Sequence, residues 1–340
     1  MPRASSSTAE MFRVPNLLRL AWAGPVLCLA SCHPSQPSTD RVFVSNEESN
    51  LVSIVDGATG KVEGRLATGA RPRGMVLSRD GRTLFVAASN ANRIEAWDTR
   101  TLRRTHIYDS GPDPERFAIT PDDKTLVIAN ENDSAVSFLN LTTGKIEREV
   151  KVGPEPEGIE VSPDGKLVIA TSELASLTHF IDGASGKLLD SVLVGSRPRF
   201  VLFLDGGKRA WVSSEQRGTI SVFDTATRKI LHTIDLVESF DITEPVQAVE
   251  MAATKDQHRV FVAMGRANRV AEIDPATFKV VRSFPTGFRT WGIGLSPDEK
   301  RLYAASGLDG TLTIIDLERN RVARKVELGG KPWGAIAVTR

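Results

Sequence analysis

The segment from Gly153 to Gly195, GPEPEGIEVSPDGKLVIATSELASLTHFIDGASGKLLDSVLVG, decides the fold. It holds four short apolar or alternating runs: Gly158 to Val161, Leu167 to Ala170, Leu177 to Ile181 and Leu188 to Val194. Runs of this length, bounded by turn residues and without a sustained helical period, read as β-strands. The first turn is Ser162-Pro-Asp-Gly165, in which proline presets φ and the aspartate bonds back to the backbone. Turns of the type Thr59-Gly60-Lys61 and Thr143-Gly144-Lys145 separate the third and fourth runs of other units.

Outward from this segment the same grammar repeats. A hydrophobic run closing in Asp or Asn recurs at Asp56, Asp98, Asn140, Asp182, Asp224, Asp274 and Asp316, always 42 residues apart except for a 50-residue step after Asp224. A second landmark keeps the phase at Gly69 to Pro72, Gly111 to Pro114, Gly153 to Pro156, Gly195 to Pro198, Gly287 to Thr290 and Gly329 to Pro332. A third is the tight turn at Ser78, Thr120, Ser162 and Ser296, each with an aspartate two residues on. Four strands every 42 residues is the period of a β-propeller blade, and solenoids of helix pairs are excluded. The first unit starts at a second strand, Val42 to Val44, and the chain ends after a lone first strand, Trp333 to Val338. Joining the two completes one blade and leaves no open ring edge. The expectation is an all-β, seven-bladed propeller of four antiparallel strands per blade over residues 41–340, where length alone suggests two domains. The extra eight residues, roughly Leu236 to Glu244 and including Phe240 and Ile242, read as a surface loop, with a partner-docking loop as the alternative.

Composition narrows the partners. The 43 basic residues nearly balance 42 acidic ones and no Lys/Arg cluster occurs, so nucleic acid is not an expected partner. Both cysteines, Cys28 and Cys32, precede the repeats, which removes disulfides, Cys-ligated zinc and Cys nucleophiles from the body of the protein. Arg13 and Arg19 precede the apolar stretch Leu20 to Ala30, long enough for a signal sequence and too short to span a bilayer. The stretch ends in Leu29-Ala30-Ser31-Cys32, which resembles the bacterial lipobox and implies acylation at Cys32, with residues 1–31 removed. The alternative is an ordinary secretory signal with an incidental cysteine. Residues 32–40 read as a tether. His33 stands where an inner-membrane retention signal has Asp, which favours the outer membrane slightly, and Met11 is an alternative start. The expected location is the bacterial cell envelope, facing the periplasm and held by the lipid alone.

The repeat unit, with its Val-Ile-Asp, Thr-Gly-Lys, Gly-x-x-Pro and Ser-Pro-Asp-Gly elements, resembles the YVTN family of β-propeller repeats across residues 41–340. Unit-specific strings, among them Ser110 to Glu115, Ala129 to Asn132, Glu155 to Gly158, Arg197 to Phe200 and Trp211 to Glu215, resemble the propellers associated with PQQ-dependent alcohol catabolism. That resemblance implies an exported partner such as a quinoprotein dehydrogenase, a cytochrome or a transporter component. It does not imply that the propeller oxidises anything.

In a propeller the loop into each innermost strand and the loop between second and third strands open on one face. The first loop type supplies Arg73, Glu115, Glu157, Arg199, Val249, Trp291 and Trp333, followed one position on by Arg116, Phe200 and Glu250. The second supplies Glu47, Glu131, Glu173 and Glu215. One reading is a polar funnel that binds a carboxylate-bearing ligand beside a wall of Trp291 and Trp333. The other is a rim whose charges satisfy one another while the tryptophans pack between blades. PQQ carries three carboxylates, so Arg73, Arg116 and Arg199 are the residues to test for it, although no cofactor is expected. His106, His179, His232 and His258 fall in unrelated columns, which argues against a histidine metal site. No nucleophile elbow, zincin motif or phosphate loop occurs. The expected function is a non-enzymatic scaffold or small-ligand binder. A lactonase-like hydrolase using Glu131, Glu157, Glu173 and Arg199 is the enzymatic alternative.

Overall fold

The aspartates that mark the period earn their place by hydrogen bonding. Asp56 Oδ1 accepts from the N–H groups of Ala58 and Thr59 at 3.1 and 2.7 Å and from the Thr59 hydroxyl at 2.8 Å. These bonds close the turn between third and fourth strands and hold the Asp56 carboxyl below its ordinary range, against the opposing pull of burial. The innermost turn is tied as firmly. Ser78 Oγ donates to Asp80 Oδ1 at 2.7 Å, and Asp80 accepts the Arg82 N–H at 3.0 Å. The same pattern joins Thr254, Asp256 and His258, so the sixth unit carries a turn landmark that the sequence comparison of units passed over.

The computed structural model describes residues 40–240 and 243–340. The expected signal segment 1–31, Cys32, the tether up to residue 39, and Ile242 lie outside the described residues. Seven four-stranded antiparallel sheets follow one another, and their innermost strands pack in a closed ring. Blade one combines Pro332–Thr339 with Asp40–Asn46, Leu51–Asp56 and Val62–Ala67, in that order from the axis outward. Its closing register sets Val42 opposite Ala337, Phe43 opposite Ile336 and Val44 opposite Ala335. The ring expected from the repeat is therefore present, closed as expected.

Seven hydrophobic clusters lie between neighbouring blades. Strand alternation explains them: each sheet buries both faces against its neighbours, so second and third strands read almost continuously apolar. The extended segment after the fifth blade joins this packing. Leu236, Val246 and Ala248 are buried with Trp211 and Met251, and Phe240 packs against them. Val237, Glu238, Ser239, Thr243 and Glu244 are exposed, as expected of a surface loop, while Leu236 and Phe240 pin it onto the core between blades five and six.

His179 lies in Leu177–Asp182, buried, with Nε2 2.8 Å from Ser172 Oγ and Nδ1 2.8 Å from Ser191 Oγ. The N–H of Gly153 donates to Nε2 at 3.2 Å and ties the incoming loop to the blade. Burial pulls its pKa from 6.5 down to about 4, so the ring stays neutral in the fold. The unfolded chain takes up a proton first as pH falls, so this histidine's contribution is complete above pH 6.5 and shrinks between 6.5 and 4. Going from pH 7 to 5 should cost about 2 kcal/mol through this ring. Urea unfolding of His179→Asn should show a lower midpoint but a flatter pH dependence over that window.

Candidate functional site

In five of the seven units the residue entering the innermost strand is set by an unusual backbone. Arg71, Asp113, Glu155, Arg197 and Arg289, one before the strand in their units, all have φ between 49° and 57°. Non-glycine residues in this region carry strain, so repetition of it marks an enforced geometry. Asparagines of the preceding blade enforce it: Asn50, Asn92 and Asn268 accept the N–H groups of Arg71, Asp113 and Arg289 through Oδ1 at 3.0, 3.0 and 2.8 Å. The carbonyls of these residues then fasten the second loop type. Asp113 accepts from Glu131 N–H at 3.1 Å, Glu155 from Glu173 at 2.9 Å, and Arg197 from Glu215 at 2.7 Å. Both loop types are thereby locked together at the mouth of the ring.

The next requirement is close approach at the axis. Gly74 and Gly158 follow Arg73 and Glu157, and a Cβ there would lie 2.7 Å from the Glu115 carbonyl oxygen and 2.8 Å from the Arg199 carbonyl carbon. Larger residues, Arg116, Phe200 and Glu250, occupy the corresponding positions of other blades and fill the centre.

The mouth divides into two ion-pair clusters. On one side Arg73 pairs with Glu115 and lies 3.5 Å from Glu47, while Arg71 lies 3.3 Å from Asp113 and 3.4 Å from Glu115. Glu131 is half-buried beside them. Burial, with Glu157 and Asp113 nearby, pushes its carboxyl up. Carboxylate oxygens of Asp113, Glu115 and Glu131 lie within 4.8 Å of one another, a spacing open to a cation. The guanidiniums of Arg71 and Arg73 already neutralise that charge, so the group makes a poor metal site.

On the other side Arg199 is bound by Glu157 at 2.5 Å, Glu173 at 2.9 Å and Glu215 at 3.4 Å, all four side chains being buried. Arg197 pairs with Glu173, and Arg289 lies 3.4 Å from Glu215. Gln247 Nε2 also donates to Glu215, at 3.1 Å. Burial, with Arg266, Arg199 and Arg197 close by, outweighs Glu215 and lowers the Arg289 pKa. Trp291 stacks against Arg289 and Arg199 at 4.2 and 5.2 Å from its ring centre. Trp333 does the same for Arg116 and Arg73 at 4.4 and 5.7 Å. The two tryptophans thus hold cations at the mouth.

Arg116, on the third blade, reaches Glu250 on the sixth at 3.1 and 3.3 Å. This pair crosses the ring. Below it lie cavities of about 150 and 100 Å³, the larger lined by Met75, Ile293, Leu295 and Ile336 and the smaller by Glu160 and Phe200. Enclosure pushes the Glu160 carboxyl up to about 7, opposed by Arg116.

All ten rim residues expected from the sequence lie at this mouth, and nine of them join its ion pairs or cation–π contacts. The tenth is Glu131. Sequence reasoning passed over Arg71, Asp113, Arg197 and Arg289. Their signal was present as a charged column one residue before Pro72, Pro114, Pro198 and Thr290.

The family described as YNCE-like β-propeller matches residues 238–340, and that described as outer membrane protein assembly factor BamB matches residues 19–170. No curated protein matches the chain in sequence. Among solved structures, a functionally unknown protein from Desulfotomaculum acetoxidans is 16% identical with TM-score 0.74, covering 87% of this chain and 98% of its own. A putative 6-phosphogluconolactonase from Bacteroides fragilis is 18% identical with TM-score 0.72, covering 90% of this chain and 100% of its own. Hydrazine synthase of Kuenenia stuttgartiensis is 20% identical with TM-score 0.69, covering 77% of this chain and 88% of its own. At these identities the likeness is one of fold.

Proposed function

We propose, for a chain that is a seven-bladed β-propeller of the YVTN/PQQ type, that it serves as a non-enzymatic binding platform of the bacterial envelope. One observation carries the reading: the arginines and most carboxylates at the mouth neutralise one another in buried pairs. Glu157 and Glu173 are both held by Arg199, so neither stands ready as a general acid or base. Arg73, Arg116 and Arg199 are likewise engaged by Glu115, Glu250 and Glu157, so they do not fit a cofactor that needs three free cations for its carboxylates. A rigid, charge-balanced face suits recognition of another protein.

The partner we propose is an exported component of a PQQ-dependent alcohol oxidation system, with Cys32 carrying the lipid that holds the propeller at the membrane. The similarity to a family named for outer membrane protein assembly supports a role in assembly within the envelope. Affinity capture from native membranes should recover a quinoprotein dehydrogenase, cytochrome or transporter component in repeated preparations. Recovery of none would overturn the partner. Cys32→Ser should move the protein from the membrane to the soluble fraction, and retention on the membrane would remove the anchor.

The likeness to a putative lactonase keeps one enzymatic reading in play, because Glu131 alone among its candidate acids has no ion pair among the described residues. A lactone panel should show no turnover above the buffer rate. Turnover that disappears in Glu131→Gln, with the fold intact, would replace the platform by a hydrolase.

A further inference from the structure

Between the sixth and seventh blades the mouth opens into a pocket that none of the readings above uses. It has a volume of about 450 Å³ and is lined by Pro245, Arg266, Asn268, Phe288, Arg289 and Leu308. We propose that it binds an amphiphilic carboxylate: an aryl or alkyl body on Phe288, Leu308 and Pro245, with the carboxylate between Arg266 and Arg289. The inference stands apart from the partner reading and from the ten rim residues, since only Arg289 belongs to their ion-pair network.

Two features point to such a ligand. The first is apolar surface held open. Phe288 and Leu308 are 62% and 64% exposed on neighbouring loops, and a hydrogen bond from Leu308 N–H to the Phe288 carbonyl at 3.0 Å fixes them side by side. Gly307 N–H donates to the Arg289 carbonyl at 3.0 Å, and Asn268 Oδ1 accepts from Arg289 N–H at 2.8 Å. The walls are therefore preformed, which lowers the ordering cost of binding.

The second is thinly compensated positive charge. Arg197 and Arg199 also pair with Glu173 and Glu157, whereas Arg289, among the described residues, has only Glu215, at 3.4 Å, and shares it with both of them. Arg266 adds a cation that is exposed and pairs with no carboxylate among the described residues. The flanking acids are turned to hydroxyls, Asp309 to Thr311 at 3.0 Å and Glu244 to Thr243 at 3.5 Å. Asn268 uses its carbonyl oxygen on Arg289, which leaves its amide N–H groups as donors toward the pocket. An anion with an apolar body matches both halves, and a pocket of this size takes a phenyl or medium alkyl group.

The test titrates the purified lipid-free propeller with 3-phenylpropionate and octanoate, read by calorimetry and by intrinsic tryptophan fluorescence. The neutral control is 3-phenylpropanol. Saturable binding of both acids is expected, about ten-fold or more tighter than the alcohol. Arg266→Gln and Phe288→Ser, both exposed positions, should each weaken binding about ten-fold with unchanged melting temperature. Leu193→Ser, an exposed apolar position on the fourth blade, should change nothing. Equal binding of acid and alcohol, wild-type affinity in Arg266→Gln, or no saturable binding would each overturn the proposal.

Discussion

Deleting Pro332–Thr339 together with Arg340 should abolish cooperative unfolding of the ring. The lost strand carries the whole inner pairing of Asp40–Asn46, from Asp40 opposite Thr339 to Asn46 opposite Pro332. It also supplies Ala335 to the core between blades seven and one, and Val338 to the core between blades one and two. Without it Val42, Phe43 and Val44, now fully buried, line a bare sheet edge open to pairing with another chain. Two of seven interblade cores open at once. Against a total stability of roughly 5–15 kcal/mol for a folded protein, that loss leaves no stable ring. The truncated chain should aggregate at 25 °C and lose its sharp thermal transition in calorimetry. Deleting Arg340 alone supplies the contrast: its ion pairs with Asp56 and Glu63, at 2.9 and 2.8 Å, are partly solvated and should contribute less than about 1 kcal/mol. If the long truncation still melts cooperatively near the full-length temperature, closure by this strand is not what stabilises the ring.

Why the fold was so legible and the site only half so comes down to where the physical requirement sits. Asp56 and its equivalents are demanded by bonds made within three residues, so each blade must repeat them and the 42-residue period survives in the sequence. The rim columns were legible for the same reason, since strand position fixes which residues face the mouth. Partner choice was not. Arg116 and Glu250 are 134 residues apart and meet only because blades three and six face each other across the ring. Arg71 and Arg197 were hidden by their place before a proline that reads as framework, and only the left-handed backbone turns them into the mouth. The two readings left open by the sequence, a free polar funnel and a self-satisfied rim, differ in contacts that no periodicity encodes. For the tryptophans the answer is mixed: Trp291 packs against the core between blades six and seven and also stacks on Arg199 and Arg289, while Trp333 stacks on Arg116 and Arg73.

Replacing Arg199 by methionine should cost about 3–5 kcal/mol at pH 8, the range for removing one member of a buried ion pair. The arginine side chain is 6% exposed, and Glu157, Glu173 and Glu215 around it are 3%, 2% and 1% exposed. Its three partners would not suffer equally. Glu173 keeps Arg197, and Glu215 keeps Arg197 and Arg289, whereas Glu157 has no second ion pair among the described residues and feels Arg73 only at longer range. Most of the loss should therefore come from one stranded carboxylate. The double variant Arg199→Met with Glu157→Gln should recover most of the deficit at pH 8. Urea unfolding of the three proteins at that pH measures both. A cost below about 1 kcal/mol for Arg199→Met at pH 8 would place the cluster among solvent-screened surface pairs. Arg199, Glu157 and Glu173 would then be free to engage a ligand or act on one, and the self-satisfied rim, on which the binding-platform reading rests, would give way to the open funnel.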